Sequence, residues 1–413
     1  MPTHEIAKND EIMAKTLLFV DAKSRVEYER DKVYVDGKEE SAGDEDKAKE
    51  VAQNKVWEKM SEVVSRYTTT FKNIAVLTAA GTSMDNGANH GKTREGLWDY
   101  CKAEIDELQK ELSKRSDVLK GNIEKAANDK DIEDFLSLVI LDEKLNGEYK
   151  NAAGKTPRLE LQKKIAEACR LTLDPVNAHH GDFLRKLTAR KPSEPRVQLY
   201  TTNYDTLFEQ SATKLGFTVI DGFSFSHPRV FNGTNFDYDI VYRERSRIKP
   251  DESFVPNVFQ LYKIHGSIDW QRGKDGEIIQ VENTDTPCVI YPASNKYESS
   301  YEQPYIEMIA HFQQTLRKEG TLLIVAGFGF KDKHLQNVIK EAVFQNPNFH
   351  LLVVCYNGSG ITNELVPDFL TADLKAVANV TILHSKFKDF VEHYPLNMSY
   401  NTLDNSLYPH ATV

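Results

Sequence analysis

Six short apolar runs set the terms on which this chain can fold: residues 74–77, 197–201, 259–264, 322–326, 350–356 and 380–384. Each is shorter than a typical helix and long enough for a buried strand. Between them lie segments whose apolar residues recur at helical spacing. Strands alternating with helices predict an α/β fold with a parallel sheet, because each crossover lays a helix over one face of it. On such a sheet ligands sit at the carboxyl ends of the strands. The residues that directly follow the runs are therefore the first place to look for chemistry.

The other elements follow from patterning. Residues 16–20 read as a strand. Residues 25–37 alternate on either side of 30–32 and read as a β-hairpin with Asp31 in its turn. Residues 45–67 read as an amphipathic helix with apolar positions at Val51, Trp57, Val63 and Val64. Helical spacing recurs at 98–114, 132–145 and 159–173, a helical insertion over about 95–190, with a loop expected within 116–131 around Gly121. Asp174-Pro175 stops the third of these helices, and another runs from His179-His180-Gly181-Asp182 to Arg190. Helices are expected at 205–215, ended by Gly216, and at 302–319, 332–344 and 386–393. Further strands are expected at 217–220 and 287–291, and residues 221–258 carry no readable pattern. There is no internal repeat. The reading divides the chain into an N-terminal extension over 1–70, a catalytic domain over 71–394 and a polar tail over 395–413.

Composition excludes several classes. A chain of 413 residues with 40% hydrophobic and 28% charged residues can bury a large globular core. A formal charge of −10 argues against coating nucleic acid through overall charge, and direct nucleic-acid binding stays undecided. The longest apolar stretch, 321–330, is too short to cross a bilayer and the first ten residues are polar, so a cytoplasmic protein without a membrane partner is expected. The four cysteines, Cys101, Cys169, Cys288 and Cys355, lie far apart, without the paired spacing of a zinc ribbon, and read as buried or semi-buried thiols. The adjacent His179 and His180 would point different ways on a helix, so they are not read as a metal site. His227, Tyr291 and the aromatics of 217–305 read as packing.

Four strand ends carry residues of chemical interest. Ala79-Ala80-Gly81-Thr82-Ser83 follows the first run; small side chains let backbone N–H groups approach a pyrophosphate, though an ordinary strand-to-helix turn would look the same. Thr202-Asn203-Tyr204-Asp205 ends the second, where Asn203 or Asp205 would also serve as a helix cap. His265-Gly266 ends the third; an imidazole titrates near neutrality, but a lone histidine is more often structural. Ala326-Gly327-Phe328-Gly329-Phe330 ends the fourth, followed by Asp332 and His334, with Asp332 placed to cap the next helix.

Taken together and in this order, these segments resemble the sirtuin signature set. Ala79-Ala80-Gly81-Thr82-Ser83 with Gly87 is similar to the family's Gly-Ala-Gly-x-Ser turn and its second Gly, with Ala79 in place of the first Gly. Gly96-Leu97-Trp98 resembles the Gly-Leu-Trp that follows. The family's acidic-aromatic-arginine triplet is replaced by His90-Gly91-Lys92. Thr201-Thr202-Asn203-Tyr204-Asp205 resembles the Thr-Gln-Asn-x-Asp strand end, and His265-Gly266 the His-Gly pair. The run Lys263–Asp269 and the Gly-Phe-Gly-Phe-x-Asp-x-His segment resemble the divergent bacterial branch. Tyr356-Asn357-Gly358-Ser359 is placed at the adenosine end.

The resemblance covers about residues 70–393 and implies a Rossmann-like fold that takes NAD as substrate. It implies Asn203 and His265 as catalytic residues with Asp205 as a brace. It implies that Ala80, Gly81, Thr82, Ser83, Gly327, Phe328 and Gly329 hold the cofactor. Zinc-ribbon cysteines are missing and His265 lies 62 residues beyond Asn203, both unlike protein deacylases. The implied activity is NAD hydrolysis to nicotinamide and ADP-ribose, by a homo-oligomeric effector of bacterial anti-phage defence. Stand-alone proteins of this type resemble the subunit that pairs with a hexameric HerA-type ATPase. The alternatives are a regulatory or scaffold subunit that binds NAD or ADP-ribose without turnover, and a DNA-acting subunit.

Overall fold

The computed structural model describes residues 15–115, 119–243, 253–290 and 303–397. Its centre is a parallel sheet made from the predicted runs: β5 (Asn73–Thr78), β6 (Val197–Thr201), β7 (Thr218–Ile220), β8 (Val258–Lys263), β11 (Thr321–Ala326), β12 (Phe349–Cys355) and β13 (Val380–His384). All these strands run parallel, in the order β13-β12-β11-β5-β6-β8-β7. The chain moves outward from β5 through β6, then returns to place β11 on the other side of β5. The carboxyl ends of β5 and β11 therefore flank a topological switch point, where such sheets open a crevice.

The sheet is covered on both faces because alternate side chains of each strand enter different cores. Ala75, Leu77, Leu323, Val325, Leu351 and Val353 join one apolar cluster. Into it pack Met308, Phe312 and Leu316 of helix α9 (Tyr305–Arg317) and Leu335 and Ile339 of α10 (Lys333–Gln345). Ile74, Val76, Leu322, Ile324, Leu352 and Val354 enter the second cluster. Helices α1 (Glu45–Thr70), α7 (His180–Thr188), α8 (Leu207–Lys214) and α11 (Phe387–His393) cover that face.

The sheet continues beyond the boundary expected near residue 70. β1 (Thr16–Val20) pairs antiparallel with β13, and β2 (Arg25–Glu29), β3 (Lys32–Val35) and β4 (Lys38–Ser41) extend the sheet to eleven strands. The expected hairpin forms with Arg30-Asp31 as its two-residue turn. β4 escaped the sequence reading because all four of its residues are exposed, so no apolar alternation marks it. It follows from Asp36-Gly37, both at positive φ, the dipeptide favoured in a tight hairpin turn. Helix α1 is capped by Asp44, whose side chain accepts from the Lys47 N–H. Its buried stripe is Ala48, Ala52, Val56, Met60, Val63, Val64 and Tyr67; Val51 and Trp57 flank it half-buried.

The helical insertion has its own core. Helices α2 (Arg94–Tyr100), α3 (Lys102–Arg115), α4 (Lys120–Asn128), α5 (Ile132–Asn146) and α6 (Pro157–Ala168) gather Trp98, Ile105, Leu108, Ile123, Phe135, Val139, Leu161 and Ile165. Within 116–131, where a loop was expected, residues 120–128 form α4 with Ile123 and Ala126 buried, and 129–131 make the turn into α5. The helix expected over 98–114 breaks at Cys101, between α2 and α3. Helix α6 ends at Ala168, short of Asp174-Pro175. The strand expected at 287–291 is reduced to a single bridge between Val289 and Gly266; Tyr291 lies outside the described residues, as does the tail after residue 397. A short two-stranded ribbon, β9 (Trp270–Arg272) with β10 (Ile278–Gln280), packs Trp270 near Phe223 and Phe231 from the stretch the sequence left unassigned.

Candidate functional site

Four strand ends meet at the switch point. The turn after β5, a short 3-10 helix over Ala80–Ser83, lies against the loop after β11. Gly81 donates its N–H to the Gly327 carbonyl (3.1 Å), and Ala79 donates to Ala326 (3.2 Å). A Cβ on Gly81 would stand 2.6 Å from Gly327 Cα, and one on Gly327, at φ +67°, 2.7 Å from Gly81 Cα. These two glycines thus let two backbones touch. The Gly81 N–H is spent inside the protein, so it is not a donor left for a ligand.

The segment after β6 is tied to the same turn. Asn203 Nδ2 donates to the Ala79 carbonyl (3.1 Å), Thr82 Oγ1 (3.3 Å) and Ser83 Oγ (2.9 Å). Ser83 Oγ in turn donates to Asp205 Oδ2 (2.8 Å), and Asp205 Oδ1 accepts from the Leu207 N–H (3.1 Å). The relay from Asn203 through Ser83 to Asp205 fixes the amide orientation: nitrogen toward the turn, and oxygen without a hydrogen bond among the described residues. Asp205 thus also meets the first turn of α8, whose N-cap is Thr206.

The strand ends are anchored from below by Lys263, which is 2% exposed. Its ammonium donates to the Asp205 carbonyl and to Glu209 Oε1 (2.8 Å). Burial opposes the charge, and Glu209, Asp269 and Asp205 outweigh it, so its pKa stands above the ordinary lysine value. Ser267 Oγ and the Ile268 N–H donate to the Tyr204 carbonyl, which binds the loop after β8 to the loop after β6. His265 sits on that loop. Its Nε2 is 3.2 Å from Asp332 Oδ2, and the two side chains are 12% and 13% exposed. Asp332 is the N-cap of α10, as the sequence suggested: its Oδ1 accepts from the His334 and Leu335 N–H groups.

These groups line one cavity of about 330 Å³, within the size range of small-ligand sites. Of the predicted residues, Ala80, Ser83, Asn203, Asp205, His265, Gly327, Phe328 and Gly329 face it. Gly81 and Thr82 stand behind the wall, Thr82 fully buried with its hydroxyl donated to Ala79. Tyr356 to Ser359 are not among the lining residues; Tyr356 is exposed and stacks on His384 instead.

The sequence reading missed the contribution of the insertion. Glu133 of α5, Leu97 of α2 and Ala168, Cys169 and Leu171 close one side of the cavity, and Lys92 stands at its wall. The end of α6 at Ala168 places Cys169 and Leu171 there. The chain peels away as a strap held by Gln210, which donates to the Leu171 carbonyl and accepts from the Leu173 N–H, and by Asn86, which donates to the Thr172 carbonyl. Gly87 touches this strap closely; a Cβ there would overlap the Asp174 carboxylate. Burial, and then the charge of Asp205, push the Cys169 thiol up to about 12, so it lines the cavity as a neutral group and not as a nucleophile.

Residues 197–372 match the SIR2-like domain. SIR2-like domains use NAD. The match takes in Asn203, Asp205, His265 and the loop after β11, while the turn at 79–83 and the insertion fall before it. No curated protein matches the chain. Small residues border the cavity at two turns, a Cβ on Gly329 would meet nothing within 4 Å, and Lys92 and Lys331 supply positive charge. Among the described residues no three His, Cys, Asp or Glu side chains group to hold a metal, and the four cysteines are all free. No helix of the described residues is long and apolar enough to cross a membrane.

Proposed function

We propose that this protein hydrolyses NAD at the nicotinamide N-glycosidic bond, giving nicotinamide and ADP-ribose. The observation that carries this reading is the convergence of Asn203, Asp205 and His265 with the turns at 79–83 and 327–329 on one cavity beside the SIR2-like switch point. In the reaction the bond between ribose C1′ and the pyridinium nitrogen breaks, and its electron pair neutralises the leaving ring. A water oxygen bonds C1′, and His265 takes the water's proton. Asn203 holds a ribose hydroxyl or the water through its amide oxygen. Lys92, Lys331 and the small-residue turns receive the diphosphate. A pocket braced through Ser83, Asp205 and Lys263 orders these groups before charge develops at C1′.

Deacylation is disfavoured on two grounds. The cysteines are scattered through the fold, and His265 lies 62 residues beyond Asn203, a longer link than deacylases carry. An enzyme that drains NAD requires restraint until needed. The proposed setting is therefore anti-phage defence, as a homo-oligomer working with a hexameric HerA-type ATPase. That setting is supported by the sequence resemblance alone.

The test is incubation of the purified chain with NAD, alone and with a HerA-type ATPase, with nicotinamide and ADP-ribose measured. Release is expected in at least one condition and is lost in Asn203→Ala and His265→Ala. Full activity in both variants would sink the site assignment. NAD or ADP-ribose binding with no release in either condition would favour the regulatory subunit, and DNA cleavage without NAD loss the DNA-acting one.

A further inference from the structure

The end of α6 and the strap that follows it have two sides. Ala168, Cys169 and Leu171 face the cavity, while Ala166, Glu167 and Arg170 line a second cleft of about 610 Å³. The other walls of that cleft are Gln271 and residues 283–286, so it separates the insertion from the segment after β10. Arg170 crosses it. Its Nη1 donates to Asn283 Oδ1 (3.2 Å) and its Nη2 to the carbonyl of Thr284, a buried residue. Lys163 also pairs with Asp285 Oδ2 (3.4 Å), but both side chains are exposed and such a pair contributes little. The segment that Arg170 grips is the one that supports His265. The Val281 N–H donates to the Asp269 carbonyl, the Cys288 N–H to Trp270, the Ser267 N–H to Cys288 and the Ile290 N–H to His265. One guanidinium thus joins the insertion to the side of the cavity that carries the imidazole.

The insertion is built to shift as a body. Helices α2 to α6 pack chiefly on one another, around an apolar cluster of their own. The chain enters through residues 90–93 and leaves through 169–179, and neither stretch is helix or strand. Such connections absorb the backbone rotation of a hinge. Gln210 and Asn86 hold the strap from Leu171 onward, which confines the exit pivot to Cys169 and Arg170. The cleft beside the pivot is lined by charged, amide and hydroxyl side chains with Ala166, so widening it uncovers little apolar surface. We propose that the insertion is a lid on the cavity and that Arg170 is its clasp, holding the pivot against residues 283–284 in the closed form. That the ligand under the lid is NAD rests on the reading above; the lid itself does not. Arg170 is not among the residues lining the cavity, so it acts through the placement of Leu97, Glu133 and Ala168.

The experiment uses the full chain with spin labels at Leu145→Cys, exposed on α5, and Lys274→Cys, exposed in the turn between β9 and β10. Label uptake by the unsubstituted chain sets the background. Distances between the labels are measured without ligand by pulsed electron–electron double resonance, with Arg170 intact and in Arg170→Lys and Arg170→Ala. Intact Arg170 is expected to give one distance, and Arg170→Ala to add a second, longer one. Arg170→Lys keeps the charge and loses the two-pronged contact, so it is expected to fall between them. In turnover, a closed form reduced to about a tenth of the molecules raises KM for NAD about tenfold, with kcat and the thermal midpoint nearly unchanged. An Arg170→Ala protein that keeps the single distance overturns the proposal, and so does one that turns over NAD with an unchanged KM. If no protein releases nicotinamide, the hydrolase reading fails, and the distances still decide whether Arg170 clasps the lid.

Discussion

Gly81 and Gly327 show how a residue chosen for chemistry is also bound by packing. In the sequence both read as phosphate contacts; in the fold they are the two points where the β5 and β11 turns touch, and Gly81 does not line the cavity. Gly81→Ala drives a methyl into the Gly327 backbone and is expected to cost about 1–3 kcal/mol, the range for overpacking. Urea unfolding measures this, and an unchanged midpoint would show that the turns can part freely. His180 is a second such residue. It is 1% exposed, its two ring nitrogens have no hydrogen-bond partner among the described residues, and it packs between Phe208 and Phe387. Burial lowers its pKa to about 4, against the pull of Asp205. The unfolded chain binds a proton here below about 6.5 and the folded chain only near 4. Stability is therefore complete above the unfolded value and is lost as pH falls through this window. His350, lowered to about 3 by burial, acts in the same direction. His180→Phe should fold at neutral pH and lose less stability between pH 7 and 5, by on the order of 2 kcal/mol. Parallel pH profiles for variant and wild type would refute this.

At the scale of elements, most helices and strands were legible because each carries its own period. Where the reading failed, a distant partner had overruled the local pattern. Helix α6 had helical spacing as far as Leu173, but Gln210 and Asn86 claim the backbone after Ala168 and convert it into the strap that walls the cavity. β4 has no apolar residue to reveal it and exists because β3 offers it hydrogen bonds. The insertion owes its integrity to a cluster separate from the two faces of the sheet, with Trp98 edge-on to Phe135 at 5.5 Å. Phe135→Ala removes the fully buried ring of that cluster, a change that costs about 3–5 kcal/mol. Amide exchange should then quicken in α2 to α5 while β5, β11 and β12 keep their protection. Uniform quickening across both would show that insertion and sheet unfold as one unit.

For the molecule as a whole, the sheet joins the first strands to the last. β1 covers β13, pairing Phe19 with Leu383 and Val20 with Ile382, and Phe19, Val26 and Val33 complete the second apolar cluster. A chain beginning after β4 would leave the fully buried β13 with an open edge, an arrangement that invites pairing between chains. It is expected to aggregate, as read by size-exclusion chromatography; a monodisperse product with native far-ultraviolet dichroism would show that the antiparallel strands are dispensable. The sequence by itself determined the α/β class, the parallel strands and the residues at their ends, because burial on both faces imposes a short apolar run and a polar stop at each strand. Only the tertiary structure decided that Asp332 meets His265, that Lys263 braces Asp205 from below, and that the insertion walls the cavity. Those contacts join segments with no shared period, and long-range packing leaves no mark in either segment alone.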